Sequence, residues 1–254
     1  MADAASVLRR RALPVAVGLI GARLLPEAPK LLRPTTGFSA FMSSIEQRFG
    51  EDSRLAGTIY AAVGLGTAIF VGRSTPLAVA TTAALAGKQV RLLAAEVGFA
   101  LEDGDVAGAR DVLPALTAAD IVPVDEAEIS ATVIETLNDK TTDAVVGPVF
   151  WGLVAGPPGA LGYRAIQKMD DLARSGRVSG RPRFTWAART IDDVADFVPQ
   201  KLTTVLRAAA SAPNGRDRQR GDLWAEIRTA DRVERLLLVG VAGVAVAGIV
   251  WRRR

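Results

Sequence analysis

Histidine and cysteine are both absent from this 254-residue chain, and tyrosine occurs only twice. Without cysteine there is no disulfide and no thiolate-bound zinc. Without histidine the usual proton carrier near neutral pH is missing, and so is the commonest metal ligand. Catalysis on this chain would fall to carboxylates, lysine, arginine, tyrosine, serine, threonine or a bound metal. Aromatic residues make up 6% of the chain. No aromatic-rich readout surface accompanies its basic residues, so they are read as a topological bias of a membrane protein and not as a nucleic-acid surface.

What the chain has in quantity is apolar residues, 49% by composition, with a mean hydropathy of +0.22. Charged residues still account for 23%, a mixture that fits membrane-embedded helices with sizeable polar segments between them. The formal charge of +4 is unevenly spread. Between Glu102 and Asp143 the only bases are Arg110 and Lys140, whereas the chain from Arg174 onward is strongly basic and ends WRRR. Three segments are candidates to meet a bilayer. ALPVAVGLIGARLL follows three arginines, and the PEAPK after it is a poor cleavage site, so it reads as an uncleaved anchor or short span. Leu55 to Gly72 carries no charge over a length near that of a spanning helix. LLLVGVAGVAVAGIV precedes Trp251 and the terminal arginines, which are expected interfacial anchors and place the C-terminus in the cytoplasm. The expected fold is all-α: a multi-pass membrane protein with amphipathic and broken helices.

Local signals sharpen after residue 100. A Gly-Asp turn at Gly104–Asp105 should end one helix. Asp125 followed by Glu128 is a capping box, and Ile129, Val133, Ile134 and Leu137 recur at helical spacing. Glu135, Asp139 and Asp143 would stack on one face of that helix, as a solvated stripe or as part of a site. Gly156-Pro157-Pro158-Gly159 cannot lie inside a regular helix, so the apolar run around it should be two pieces joined by a tight break. Two acid pairs follow, Asp170-Asp171 and Asp192-Asp193. One charge at the centre of a spanning helix costs about 2.5–3.5 kcal/mol on insertion scales. The pairs must therefore reach water, a cation or arginines.

The ordered series of motifs resembles the CobD/CbiB family, the adenosylcobinamide-phosphate synthases of cobalamin biosynthesis. The matching residues are Asp143, Pro148, Phe150 and Trp151 in DAVVGPVFW and Gly156, Tyr163, Arg164 and Ala165 in GPPGALGYRA. Asp170 follows, then Phe184, Trp186, Asp192, Asp193, Val194, Ala195, Val198 and Pro199 in FTWAARTIDDVADFVP. The likeness is best over residues 96–206. It implies one membrane domain over residues 1–254, with a basic linker and an apolar C-terminal helix in 211–254. It also implies a multi-pass protein of the cell membrane and amide ligation of aminopropanol, or its phosphate, to a carboxylate of adenosylcobyrate. ATP and Mg²⁺ are the implied cofactors. Corrinoid and aminopropanol are the implied ligands, with membrane lipid and other proteins of the pathway as further partners and no nucleic acid.

On the same resemblance Asp143, Arg164, Lys168 and Asp170 are candidate catalytic residues. Tyr163 and Arg164 are candidates for cofactor binding. Asp170, Asp171, Asp192 and Asp193 are candidate metal ligands. A carboxylate becomes a good electrophile once phosphorylated, and phosphoryl transfer leans on metal and cationic clamps more than on a proton shuttle, which suits a site without histidine. Some positions depart from the family pattern. Neutral amides are replaced by Lys140 and Lys168, Arg33-Pro34-Thr35 stands for His-Pro-Val, and a late Ser-Pro-Asn segment survives only as SAPNG. These departures keep a second expectation open: a catalytically inactive homologue that acts as a scaffold or assembly partner.

Overall fold

The computed structural model describes residues 4–26, 34–49, 52–117, 125–174, 180–211 and 223–252, and every regular element among them is helical. The order is α1 (Ala4–Leu24), α2 (Pro34–Glu46), α3 (Arg54–Arg73), α4 (Leu77–Ala84), α5 (Gly87–Glu102), α6 (Val106–Leu116) and α7 (Glu126–Thr141). A π-helical turn (Thr142–Val146) leads into α8 (Gly147–Ala155), followed by α9 (Pro157–Arg174), α10 (Pro182–Ala210) and α11 (Leu223–Arg252). Pro123, the stretch from Ala212 to Arg220 and the last two arginines lie outside the described residues.

Local chemistry sets the helix ends. The Asp125 carboxylate accepts the Glu128 N–H at 2.9 Å, and Asp105 accepts the Gly108 N–H at 2.8 Å. Each satisfies one of the donors that a helix start leaves without a partner. Gly104 turns the chain ahead of α6 with a φ of 73°. At the break Gly156 has φ 72° and ψ −154°, a region open in practice only to glycine, and Pro157 and Pro158 open α9. The carbonyls freed at the end of α8 are met from the far end of the chain. The Arg11 guanidinium of α1 donates to Leu153 O at 3.2 Å and to Val154 O.

Three apolar clusters result. One joins α1, α8 and α11 through Leu19, Val146, Val149 and Val233. A second joins α2, α3, α9 and α10 around Met42, Tyr163, Met169 and Phe184. The third packs α5, α6 and α7 through Val97, Leu113, Ile129 and Val133. Helix α3 contacts both α9 and α10 closely because its inner face is made of small residues: Gly57, Ala61, Gly64, Ala68 and Gly72 are all buried.

Two of the three expected bilayer segments are helices long and apolar enough to cross a membrane: Arg54–Arg73 and, within α11, Leu223–Val250. Helix α1 forms, but it carries Arg9, Arg10 and Arg11 within its first half and is not among them. Its outer face nevertheless presents Leu13, Val17, Ile20 and Leu24, all exposed and spaced as one helical stripe.

The crossing of α3 and α10 gives a direct test. A Cβ at Gly57 would sit 1.9 Å from the Phe184 carbonyl oxygen, whereas one at Gly66 meets nothing within 4 Å. Gly57→Ala should lower the thermal midpoint in detergent, by the equivalent of about 1–3 kcal/mol. Gly66→Ala should leave the midpoint unchanged or raise it, through roughly 0.5–1 kcal/mol of helix propensity. Equal effects from the two would show that the helices do not cross here.

Candidate functional site

On α9, Tyr163, Gln167, Asp170 and Asp171 recur at spacings that place them on one face, and on α10 Asp192, Asp196 and Gln200 do the same. These faces meet, with the end of α7 and the π turn closing a third side. The result is a cavity of about 300 Å³ lined by Asp139, Lys140, Asp143, Asp170, Asp171, Asp192, Asp193 and Asp196, with Gln167, Gln200 and three threonines. Asp170, Asp192 and Asp196 are buried, while Asp139 and Asp193 are exposed at its edge. The π turn has a physical role here. It puts an extra residue into the helical turn and changes the register, so Asp143 lies in the cavity while Glu135, two turns earlier, remains exposed.

Charge is balanced unevenly. The Lys140 Nζ lies 2.9 Å from Asp171 Oδ1 and 3.6 Å from Asp143 Oδ2, and the Lys168 Nζ lies 2.7 Å from Asp171 Oδ2. Both oxygens of Asp171 are thus occupied by ammonium groups. Burial alone would push its carboxyl up, but Lys140 and Lys168 hold it well below the usual carboxylate range. The Asp143 carboxyl is pushed up to about 7 by burial, which outweighs Lys140, with Asp196 and Asp171 adding to the rise. Burial also raises Asp196 against its hydrogen bonds from Tyr163 and Gln167. Burial, together with the neighbouring Arg164 and Lys140 cations, outweighs Asp171 and leaves the Lys168 ammonium easier to deprotonate than usual.

Part of the cavity wall is a hydrogen-bonded triad, with Asp196 and Gln167 lining the space and Tyr163 behind them. The Tyr163 hydroxyl donates to Asp196 Oδ1 at 2.6 Å, and the Gln167 amide donates to the same oxygen and to the Tyr163 hydroxyl, both at 3.1 Å. The tyrosine ring has its place because residue 147 is glycine; a Cβ there would sit 2.1 Å from the ring. The Trp151 indole N–H donates to Ala195 O at 3.1 Å, tying α8 to α10 beside the triad.

Of the residues singled out in the sequence, Asp143, Asp170, Asp171, Asp192 and Asp193 line one cavity. Lys168 and Arg164 line an adjoining chamber of about 280 Å³, and Lys140 and Asp171 form the partition that both spaces share. Arg164 does not face the acidic cavity. Tyr163 lines neither space, and its hydroxyl is committed to Asp196. Asp196 and Gln167 went unnoticed in the sequence, although the signal was there: each falls four residues after a residue already chosen, Asp192 and Tyr163.

Among the described residues no three carboxylates converge tightly enough to cage a metal ion. The donor set still fits Mg²⁺, which keeps several waters and takes one or two carboxylates together with substrate phosphate oxygens. Asp170, Asp192 and Asp193, which all line the cavity, are the candidate carboxylates for that. Asp171 is the poorest ligand of the sequence-derived set, because lysines hold both its oxygens.

The raised Asp143 carboxyl makes stability depend on pH. Its folded pKa of about 7 lies above the ordinary 3.8, so the folded state holds the proton more tightly. Its contribution to stability therefore falls as pH rises from about 4 to 7, by on the order of 4 kcal/mol. Thermal midpoints of wild type and Asp143→Asn should draw apart across that interval, in favour of the variant, and run parallel above about pH 8. Parallel curves throughout would place Asp143 in a solvated setting.

A family model described as CobD/Cbib protein matches residues 15–249. The cobalamin biosynthesis protein CobD of Mycobacterium tuberculosis is 34% identical over 215 residues, which cover 80% of this chain and 67% of that protein. The protein of the same name from Rhodobacter capsulatus is 30% identical over 214 residues, 78% of this chain and 68% of its own length. The chain thus spans about two thirds of these relatives. No solved structure matches it. With the matched region running from within α1 to the end of α11, the chain belongs to the CobD/CbiB family.

Proposed function

We propose that this chain is a membrane-embedded amide ligase of cobalamin biosynthesis, joining aminopropanol or its phosphate to a carboxylate of adenosylcobyrate with consumption of ATP. The observation that carries the reading is the meeting of Asp170 on one helix with Asp192 and Asp193 on another in one small cavity, with two lysines at its border. When bound, ATP and Mg²⁺ would supply activation of the carboxylate by phosphorylation, and Asp170, Asp192 and Asp193 would hold the metal. The acidic cavity suits an incoming ammonium. Asp143, with its carboxyl near neutrality, is the group suited to take the proton that the amine must lose before it attacks. Lys168, in the adjoining chamber, would offer its ammonium to phosphate oxygens of a bound substrate. Tyr163 and Gln167 act through Asp196 by fixing its side chain.

A multi-pass arrangement in the cell membrane, with the C-terminus cytoplasmic, belongs to the same proposal. It is supported by the two apolar helices and by outward-facing Phe70, Phe99, Phe197, Val205 and Val239, which would meet lipid more favourably than water.

The second reading is an inactive homologue that serves as a scaffold or assembly partner. The observation behind it is the Lys140–Asp171–Lys168 bridge, which locks an aspartate of the cavity between cations where the family pattern has neutral residues. Complementation separates the two. The gene should restore cobinamide formation to a strain lacking its own ligase, and Asp170→Asn or Asp193→Asn should lower this by at least about a hundredfold while the protein stays folded. Failure of the wild-type chain to complement, with corrinoid binding intact, would decide for the scaffold.

A further inference from the structure

A third cavity lies on the other side of Arg164. It is a groove of about 530 Å³ between α1, α4 and the start of α5, and its walls are mainly apolar. Ala86, Gln89 and Arg164 line both this groove and the chamber containing Lys168, so the two spaces adjoin. We propose that the groove binds one anionic phospholipid, with its phosphate held between Arg164 and the N-terminus of α5 and its acyl chains running outward along α1.

Charge carries the first half of the proposal. Arg23, Arg91, Arg181 and Arg207 each pair with a carboxylate. Arg164 makes no ion pair among the described residues, and its Nε is buried without an acceptor. Asp171 and Asp143 act on Arg164 electrostatically without pairing with it, so this part-exposed side chain keeps a buried donor that an anion in the groove can take. Beside it begins the sixteen-residue helix α5, whose N-cap position is Ala86 and so offers its first N–H groups no side-chain acceptor. Those N–H groups and the helix dipole favour the same sign of ligand. Lys88 adds a positive charge at the same end. The single acid in the lining, Glu234, is already matched by Arg91 and by Arg23 at 3.5 Å. The polar end of the groove therefore presents net positive charge and no carboxylate for a choline-type ammonium.

Shape carries the second half. A groove of this size falls in the range of small-molecule sites and is too small to enclose two full acyl chains. It opens at Val17, Leu25 and Val79, which are exposed, and Val17 belongs to the outward stripe of α1. A tail leaving the groove thus continues onto apolar side chains. Free phosphate would use only the charged end and leave the apolar walls empty.

The test measures binding without corrinoid, aminopropanol or ATP, so its result is independent of whether the chain is a ligase. Delipidated full-length protein in a neutral detergent is titrated with phosphatidylglycerol or phosphatidylcholine, and bound lipid is counted by native mass spectrometry. One phosphatidylglycerol per chain should bind, at least about tenfold more tightly than phosphatidylcholine. Inorganic phosphate at millimolar concentration should not displace it. Ala83→Trp, which fills the groove, should abolish binding. Arg164→Gln should bring the two lipids to similar affinity. Val79→Trp at the exposed mouth repeats the blocking test if Ala83→Trp does not fold. Equal affinity for the two lipids in wild type, undiminished binding in a folded blocked variant, or displacement by free phosphate would each overturn the proposal.

Discussion

Carboxylates confined to a small volume repel one another, and a chain without histidine has few ways to relieve this. The cavity between α9 and α10 is lined by seven aspartates and one lysine. Its charge is relieved in three ways: lysines on either side of Asp171, a burial-raised proton affinity at Asp143 and Asp196, and hydrogen bonds from Tyr163 and Gln167. Much of the surrounding architecture makes these routes possible. The π turn carries Asp143, the glycine at 147 admits the tyrosine ring, and the small-residue face of α3 lets it pack closely against both α9 and α10. A space this acidic is complementary to cations, whether ammonium or hydrated metal.

The same helix thus has two chemistries. One face of α9 points Asp170 and Asp171 into the acidic cavity, and Arg164 and Lys168 line the chamber behind it. The Lys140–Asp171 contact at 2.9 Å is the wall between the two spaces. Spaces of opposite charge thus lie within a few helical turns of each other, as the proposed joining of an amine to a phosphorylated acid would require.

Some of this was legible in the sequence and some was not. The Asp125 cap, the Gly104 turn and the break at Gly156 depend on local chemistry, and a handful of adjacent residues announces each. The need of the acid pairs for water, a cation or arginines was legible, and the family likeness grouped Asp170, Asp192 and Asp193; that they line one cavity depends on the packing of α9 against α10. Asp196 and Gln167 escaped because attention to adjacent acid pairs misses a periodicity of four. The lysine bridge over Asp171 was invisible for another reason. Lys140 and Asp171 are 31 residues apart and meet only through the packing of α7 on its neighbours. Nor does any local pattern in Thr142–Val146 signal a π turn. The first apolar segment, expected to meet the bilayer, forms α1 with an exposed apolar stripe, and the role of Arg11 at the end of another helix was not legible locally.

That last contact bears on how the chain assembles. The carbonyls that Arg11 caps are synthesised more than 140 residues after it. The opening helix must therefore remain available while most of the polypeptide emerges, and the bend at Gly156 can settle only when beginning and middle dock. Docking of the first helix at this joint thus waits on the middle of the chain, and its pairing of Arg23 with Asp231, 208 residues away, waits longer still.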